Sequence, residues 1–252
     1  MPAKEQKIQA EIVKKNILTD ELFIMWLRPE RKFTFGPGQY CTLGYEGTER
    51  PYSIVSAPHE KDLELFLEMA PQSLRGKTSL TPKMYGLKVG TKIEMRPEAC
   101  GRFVLDKNFE THVMIATVTG IAPYISMLRA YLHGDYKKQY KIYVFQGASY
   151  KDEFGYDREL KKISERGILT YVPTISRPQE DRNKGWLGAT GRVNEIVLAQ
   201  FEKYGITPTN TAVYLCGQRG MIDDLGNAKE TPDKPLGKLF RSGFQIRREM
   251  FY

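Results

Sequence analysis

Through the first hundred residues apolar and polar positions alternate in short runs. Leu63, Leu65, Leu67 and Met69 alternate with Glu64, Phe66 and Glu68, a period of two with one apolar exception. That period marks an extended strand with one buried face. Runs of the same kind cover Lys7–Lys15, Glu21–Leu27, Phe35–Tyr45, Arg50–Pro58 and Thr91–Pro97, and Pro29, Pro37, Pro58, Pro71, Pro82 and Pro97 punctuate them. Short strands at this spacing predict an antiparallel barrel or sandwich. The stretch Ser79–Gly90, with Gly86 and Gly90 past its end, predicts one short helix.

From about Lys107 the pattern changes. The apolar run Thr111–Thr117 leads into a helical stretch within Val118–Gly134. A strand at Tyr140–Ala148, a helix at Asp157–Gly167 and a strand at Ile168–Ser176 follow. A helix at Asn194–Gly205, a strand at Thr211–Gly217 and a helix from Arg219 toward Glu230 complete the order. Strands alternating with helices predict βαβ units and a doubly wound parallel sheet. The expected fold class is therefore β followed by α/β, with domains at 1–106 and 107–252 and a boundary between Phe103 and Phe109. No internal repeat or low-complexity segment interrupts either half.

Composition narrows the class. Of 252 residues, 41% are hydrophobic and 12% aromatic, enough for a core and against disorder. No run of 18 apolar residues is present, and the first residues lack the apolar centre of a signal peptide, so a cytoplasmic chain beginning near Met1 is expected. The three cysteines, Cys41, Cys100 and Cys216, are far apart and form no C-x-x-C pair, which excludes a disulfide framework or a cysteine-held cluster. His59, His112 and His133 are equally scattered, so no metal site is expected. The net charge of +8 favours an acidic partner. Its basic residues form no tight run, which argues against nucleic acid.

Four segments carry candidate chemistry. In Glu49–Pro58 (ERPYSIVSAP), strand alternation puts Arg50 and Tyr52 on one face and Ser53 on the other. A cation beside a flat phenol suits a ligand with an anionic tail and a planar ring. The turn Ala116–Pro123 (ATVTGIAP) closes a strand and opens a helix, leaving backbone N–H groups for phosphate. Arg177 follows one strand and Arg192 opens the next helix, so both can clamp a phosphate monoester. Cys216 ends an apolar strand, and Gly217 permits close approach of a ring.

In this order, GPGQY, RPYS, TGIAP, LCGQRGM and an aromatic C-terminus resemble the ferredoxin–NADP reductase family, specifically its bacterial type, over nearly the whole chain. The resemblance implies an N-terminal antiparallel β-barrel FAD domain followed by a doubly wound parallel-sheet NADP(H) domain. It assigns FAD to Arg50, Pro51, Tyr52 and Ser53, to Phe66, Leu67 and Glu68, to Ser79, Leu80 and Thr81, and to Thr117. Phe251 would cover the flavin and Tyr252 the adenine. It assigns the nicotinamide nucleotide to Thr117, Thr119, Gly120, Cys216 and Gly217, with Arg177 and Arg192 on the 2′-phosphate. Ser53 near flavin N5, Cys216 beside nicotinamide C4 and Glu249 in proton balance would be the catalytic set.

The implied activity passes electrons between NADPH and ferredoxin or flavodoxin, an acidic one-electron carrier, in a monomer. Two departures bear on nucleotide choice. Val118 stands where the family turn carries its first Gly, and Ser149 where some members carry another Arg, for which Lys151 or Arg182 would substitute. Another NAD(P)H–flavin reductase of the same architecture, serving an oxygenase or a diaphorase-like role, and a non-catalytic flavoprotein binding module remain as alternatives.

Overall fold

Side chains that alternate along a strand bury only one face, so the first hundred residues need a shared interior. The structure, a computed structural model, describes residues 6–69, 79–231 and 233–250. Six strands enclose the interior: β1 (Ile8–Ile17), β2 (Leu22–Pro29), β3 (Tyr40–Tyr45), β4 (Thr48–Ser53), β5 (Leu63–Glu68) and β6 (Lys92–Met95). They pair in the order β4–β3–β6–β1–β2–β5, every pairing antiparallel. An isolated antiparallel bridge between Ile54 and Leu65 joins the two outer strands and nearly closes the sheet into the expected barrel. Ile8, Ile12, Phe23, Met25, Leu43, Leu65 and Ile93 fill it.

The short helix α1 (Leu80–Gly86) buries Leu80 and Met84 in the same core. Lys15 caps its C-terminal end, where the Leu87 N–H also closes the last turn on the Met84 carbonyl. The Lys15 ammonium donates to the carbonyls of Met84, Tyr85 and Leu87 and lies over the rings of Phe23 and Tyr85.

The second sheet contains β7 (Thr111–Thr117), β8 (Lys141–Ala148), β9 (Thr170–Ile175), β10 (Ala189–Thr190), β11 (Thr211–Gly217) and β12 (Gln245–Met250). Its order is β10–β9–β8–β7–β11–β12 and every pairing is parallel. The crossover helices are α2 (Ala122–His133), α3 (Asp157–Glu165), α4 (Val193–Tyr204), α5 (Arg219–Gly226) and the single turn α6 (Lys238–Arg241). The sheet is thus doubly wound, with its order reversing between β7 and β11.

Packing groups Met1–Val104 with Ala122–Tyr136 as one unit and Leu105–Ile121 with Lys137–Tyr252 as the other. The sequence pattern alone keeps α2 with the second half. It groups with the barrel because Ser126 Oγ donates to the Ser56 carbonyl at 2.7 Å and Arg129 Nη1 to Glu64 Oε2 at 2.6 Å. Glu64 is only 5% exposed, and the Arg129 guanidinium sets an opposite charge against it.

Several elements depart from the sequence reading, among them the two-residue strand β10 and the turn α6, which it lacks. The helix from Arg219 stops at Gly226, where the Asn227 side-chain amide donates to the carbonyls of Lys229 (2.7 Å) and Pro235 (2.8 Å) and turns the chain away. The strand β12 is an addition. It lies at the sheet edge with its residues at least partly exposed, so no apolar alternation announces it. Among the described residues no helix is long and apolar enough to cross a membrane.

His112, at the start of β7, is fully buried. Its Nδ1 lies 3.2 Å from the Tyr214 hydroxyl, which accepts the Asp106 N–H at 2.8 Å, while Nε2 has no partner. Burial holds its pKa down at about 4, against an ordinary 6.5. A depressed folded-state pKa supports the fold above about pH 6.5, and that support is lost as pH falls toward about 4. Urea unfolding of His112→Leu should therefore lose stability less steeply across this window than the parent. Equal slopes would exclude His112 as the source.

Candidate functional site

In an open parallel sheet the crevice beyond the carboxyl ends of the strands receives ligands where the strand order reverses. Here that point is the pair β7 and β11, with Ala116 opposite Cys216. The Gln218 N–H donates to Thr117 Oγ1 at 2.7 Å. Gly217 has φ +129°, and a Cβ there would collide with Thr117. A Cβ at Gly120 would collide with the Cys216 carbonyl. Thr117, Gly120, Cys216 and Gly217 are thereby brought together, and only glycine fits at two of the four positions. Thr119 lies in the same turn, a 3-10 turn at Val118–Ile121.

Val118 carries φ +41°, a left-handed conformation that a β-branched residue adopts only under constraint. Gln146 Nε2 donates to its carbonyl at 3.3 Å, and the Tyr171 hydroxyl donates to Gln146 Oε1 at 2.9 Å. Its side chain packs on a small cluster of Ala148, Phe154, Ile175 and Trp186. The Phe154 and Trp186 rings stack at 5.4 Å. The sequence marked Val118 as a departure, but the Gln146 and Tyr171 support has no local signature.

Both arginines of the expected clamp flank the end of β9. Arg177 lies two residues past it, and the Gly191 N–H donating to the Ile175 carbonyl at 2.9 Å brings Arg192 alongside. Arg177 Nη1 donates to the Tyr150 hydroxyl at 2.7 Å and pairs with Glu180 at 3.4 Å. Arg192 pairs with Glu195 at 4.0 Å. Of the two proposed substitutes for an arginine at Ser149, Arg182 joins this group, lying over the Tyr150 ring at 4.1 Å and gripping Asp152 with two bonds of 2.8 Å. Lys151 turns to the Lys184 carbonyl at 2.5 Å.

Sequence reasoning missed Tyr150, Glu180 and Asn183. Asn183 is buried and ties the strands of this loop together. Its amide donates to the carbonyls of Ser149 (2.9 Å) and Arg177 (2.8 Å), and its oxygen accepts the Lys151 N–H at 2.9 Å. Side-chain to backbone bonds of this kind leave no spacing to read.

Cys216 is fully buried, and Glu249 faces it in register on β12. Burial first, and the Glu249 charge second, push the thiol far above its ordinary range. Cys216 is therefore a neutral, polarisable packing group rather than a nucleophile.

On the barrel, β4 places Arg50 and Pro51 outward, Tyr52 half-buried and Ser53 only 5% exposed. Arg50 Nη1 donates to the Glu49 carbonyl at 2.7 Å. The Tyr52 hydroxyl is 3.0 Å from Thr81 Oγ1 and its ring packs against the barrel core. Burial pushes this phenol up to about 12. The bond joins β4 to the first turn of α1, where Ser79 is the N-cap and Leu80 is buried. Phe66 and Leu67 are buried on β5, and Glu68 is exposed. Phe251 and Tyr252 lie outside the described residues. An exposed guanidinium beside a ring pinned at its hydroxyl fits a dinucleotide with a planar head, and the paired arginines of the second unit fit a phosphorylated nucleotide.

A family model described as the oxidoreductase NAD-binding domain matches residues 114–226. The flavodoxin/ferredoxin–NADP reductase of Escherichia coli (strain K12) is 31% identical over 230 residues, 86% of this chain and 87% of that protein. The protein of that name from Buchnera aphidicola subsp. Baizongia pistaciae (strain Bp) is 29% identical over 260 residues, 97% of this chain and 98% of that one. A crystal structure of a ferredoxin NADP+ reductase from Neisseria gonorrhoeae with bound FAD and NADP superposes with a TM-score of 0.75 at 23% identity, covering 99% of this chain and 100% of that one. The matched domain and relatives define a nucleotide-linked oxidoreductase. The chain belongs to the flavodoxin/ferredoxin–NADP reductase family.

Two outcomes are expected. Iodoacetamide at pH 8 should alkylate exposed Cys100 quickly and leave buried Cys41 and Cys216 unmodified in the folded protein, as read by mass spectrometry of digests. Rapid labelling of Cys216 would contradict its burial. Gln146→Leu, which strips the donor from the Val118 carbonyl, should lower unfolding free energy in urea by about 1–3 kcal/mol. An unchanged midpoint would mean that the turn is held without Gln146.

Proposed function

We propose that this chain carries electrons between NADPH and ferredoxin or flavodoxin, with FAD as its resident cofactor. The observation that supports this most is the 31% identity to the Escherichia coli flavodoxin/ferredoxin–NADP reductase across 86% of the chain. The bound FAD and NADP of the Neisseria gonorrhoeae neighbour support the cofactor pair. When bound, the flavin supplies the exchange between a two-electron hydride donor and a one-electron carrier.

The protein's own residues bind and orient. Arg50 neutralises the FAD diphosphate, with Ser79, Leu80 and Thr81 at the α1 turn. Tyr52, fixed by Thr81, offers its ring to the flavin, and Pro51, Ser53, Phe66, Leu67, Glu68 and Thr117 complete the FAD set, with Phe251 and Tyr252. Ser53 holds a hydrogen bond at flavin N5. Thr117, Thr119 and Gly120 take the nucleotide backbone, and Arg177 and Arg192 the 2′-phosphate. Cys216 and Gly217 pack beside the nicotinamide, and Glu249 serves the proton balance. The surplus of 38 basic over 30 acidic residues favours docking of an acidic carrier. The chain acts in the cytoplasm as a monomer.

A second reading, an NAD(P)H–flavin reductase with relaxed nucleotide choice, is favoured by Glu180. Its carboxylate stands within the arginine group, bonded by the Tyr150 hydroxyl at 2.6 Å, where it opposes a phosphate.

Stopped-flow reduction of the FAD-loaded protein distinguishes the readings. NADPH should bleach the flavin much faster than NADH, and Arg177→Ala with Arg192→Ala should slow NADPH reduction at low nucleotide by about 10-fold or more, since each charge-assisted bond is worth about 1.5–3 kcal/mol. Equal parent rates support the second reading. No bleaching with either nucleotide defeats both.

A further inference from the structure

Two of the three histidines, distant in sequence, meet on the first unit. The His59 and His133 rings stack with centroids 3.8 Å apart and planes 11° apart. His133 Nδ1 lies 2.8 Å from Asp135 Oδ1. One potential ligand atom from each of His59, His133 and Asp135 falls within 4.8 Å of the other two, and all three residues are exposed.

The backbone holds this arrangement from both sides. On one side α2 ends at His133, and Gly134 follows with φ +95°. The Gly134 N–H donates to the Tyr131 carbonyl at 3.1 Å and the Asp135 N–H to the Ala130 carbonyl at 3.1 Å. This glycine-terminated cap folds Asp135 back beside His133. On the other side, the turn carrying His59 is closed by the Glu60 N–H donating to the Ala57 carbonyl at 3.0 Å and the Ala57 N–H donating to Glu60 Oε2 at 2.5 Å.

One face of α2 grips that turn along its length. Ser126 bonds the Ser56 carbonyl at 2.7 Å, and Arg129 pairs with Glu60 at 3.4 Å and Glu64 at 2.6 Å. His133, four residues beyond Arg129, is next on the same face. Ser126, Arg129 and His133 thus hold the turn and the start of β5 against the helix, the last of them by imidazole on imidazole.

We propose that His59, His133 and Asp135 form a binding site for a divalent transition-metal ion of the Zn2+ class, with water completing the coordination. Two imidazole nitrogens and a carboxylate oxygen suit such an ion and do not suit Mg2+ or Ca2+, which take oxygen ligands. Zinc–nitrogen bonds of about 2.0–2.1 Å place tetrahedral ligands about 3.3 Å apart. Both rings are exposed, and metal binding requires rotation about their side-chain torsions to turn the nitrogens inward from the stack. A bound ion ties the 57–60 turn to the end of α2 in place of the ring stack.

The test is equilibrium dialysis of the full-length, FAD-loaded Cys100→Ser protein against micromolar ZnCl2 at pH 7.5. The substitution removes the exposed thiol as a competing ligand. One zinc per chain is expected, retained under a thousandfold excess of Mg2+. His59→Ala and His133→Ala should each weaken binding at least 10-fold, and Asp135→Asn severalfold, with thermal melts confirming that each variant folds. Zinc should raise the midpoint of the Cys100→Ser protein and leave the two histidine variants unmoved. Absence of stoichiometric zinc, or binding unchanged in either histidine variant, would overturn the site.

Discussion

The second unit depends on an interlock of two backbone turns. At the ends of β7 and β11 the chain reverses twice within van der Waals distance of itself, and positions 120 and 217 have no room for a side chain. The Gln218 N–H on Thr117 Oγ1 fastens the two turns. The strand ends are held this closely where the sheet order changes direction, the place at which open parallel sheets receive ligands. The left-handed Val118 is tolerated because Gln146 on β8 donates to its carbonyl and is itself held by the Tyr171 hydroxyl on β9.

In the barrel, a single hydroxyl pair has a comparable role. Tyr52 and Thr81 join β4 to α1, and Lys15 caps that helix from β1. The three elements hold the phenol ring at a fixed height, half in the core and half at the surface. A ring so placed loses little entropy on stacking with a ligand, because its orientation is already set.

The barrel and the parallel sheet were legible because both follow periodicity. The seven residues Thr111–Thr117 read as a strand and form β7, since a short apolar run buried on both faces leaves few alternatives. The edge strand β12 was hidden because Arg247 and Arg248 interrupt its pattern, and β10 because it has only two residues. At the candidate nucleotide site, glycines and arginines could be read from motif order. Asn183, Tyr150 and Glu180 could not, because their contacts join loops that are distant in sequence. The His59 and His133 pair was invisible for the same reason. Burial of α2 against the Ser56 turn also lay beyond reach, because its anchors, Ser126 and Arg129, look like ordinary helix residues.

The pairing of Arg177 with Glu180, and of Arg182 with Asp152, makes this loop behave as an ion exchanger. An arriving anion meets cations that already hold counter-charges, so it binds only by displacing a carboxylate. Chloride, acetate and a phosphate monoester all face this requirement, so the strength of any anion here is the difference between its own contacts and the carboxylate contacts it replaces. The resident carboxylates act as competing ligands built into the loop, and salt that weakens the newcomer's contacts weakens theirs as well.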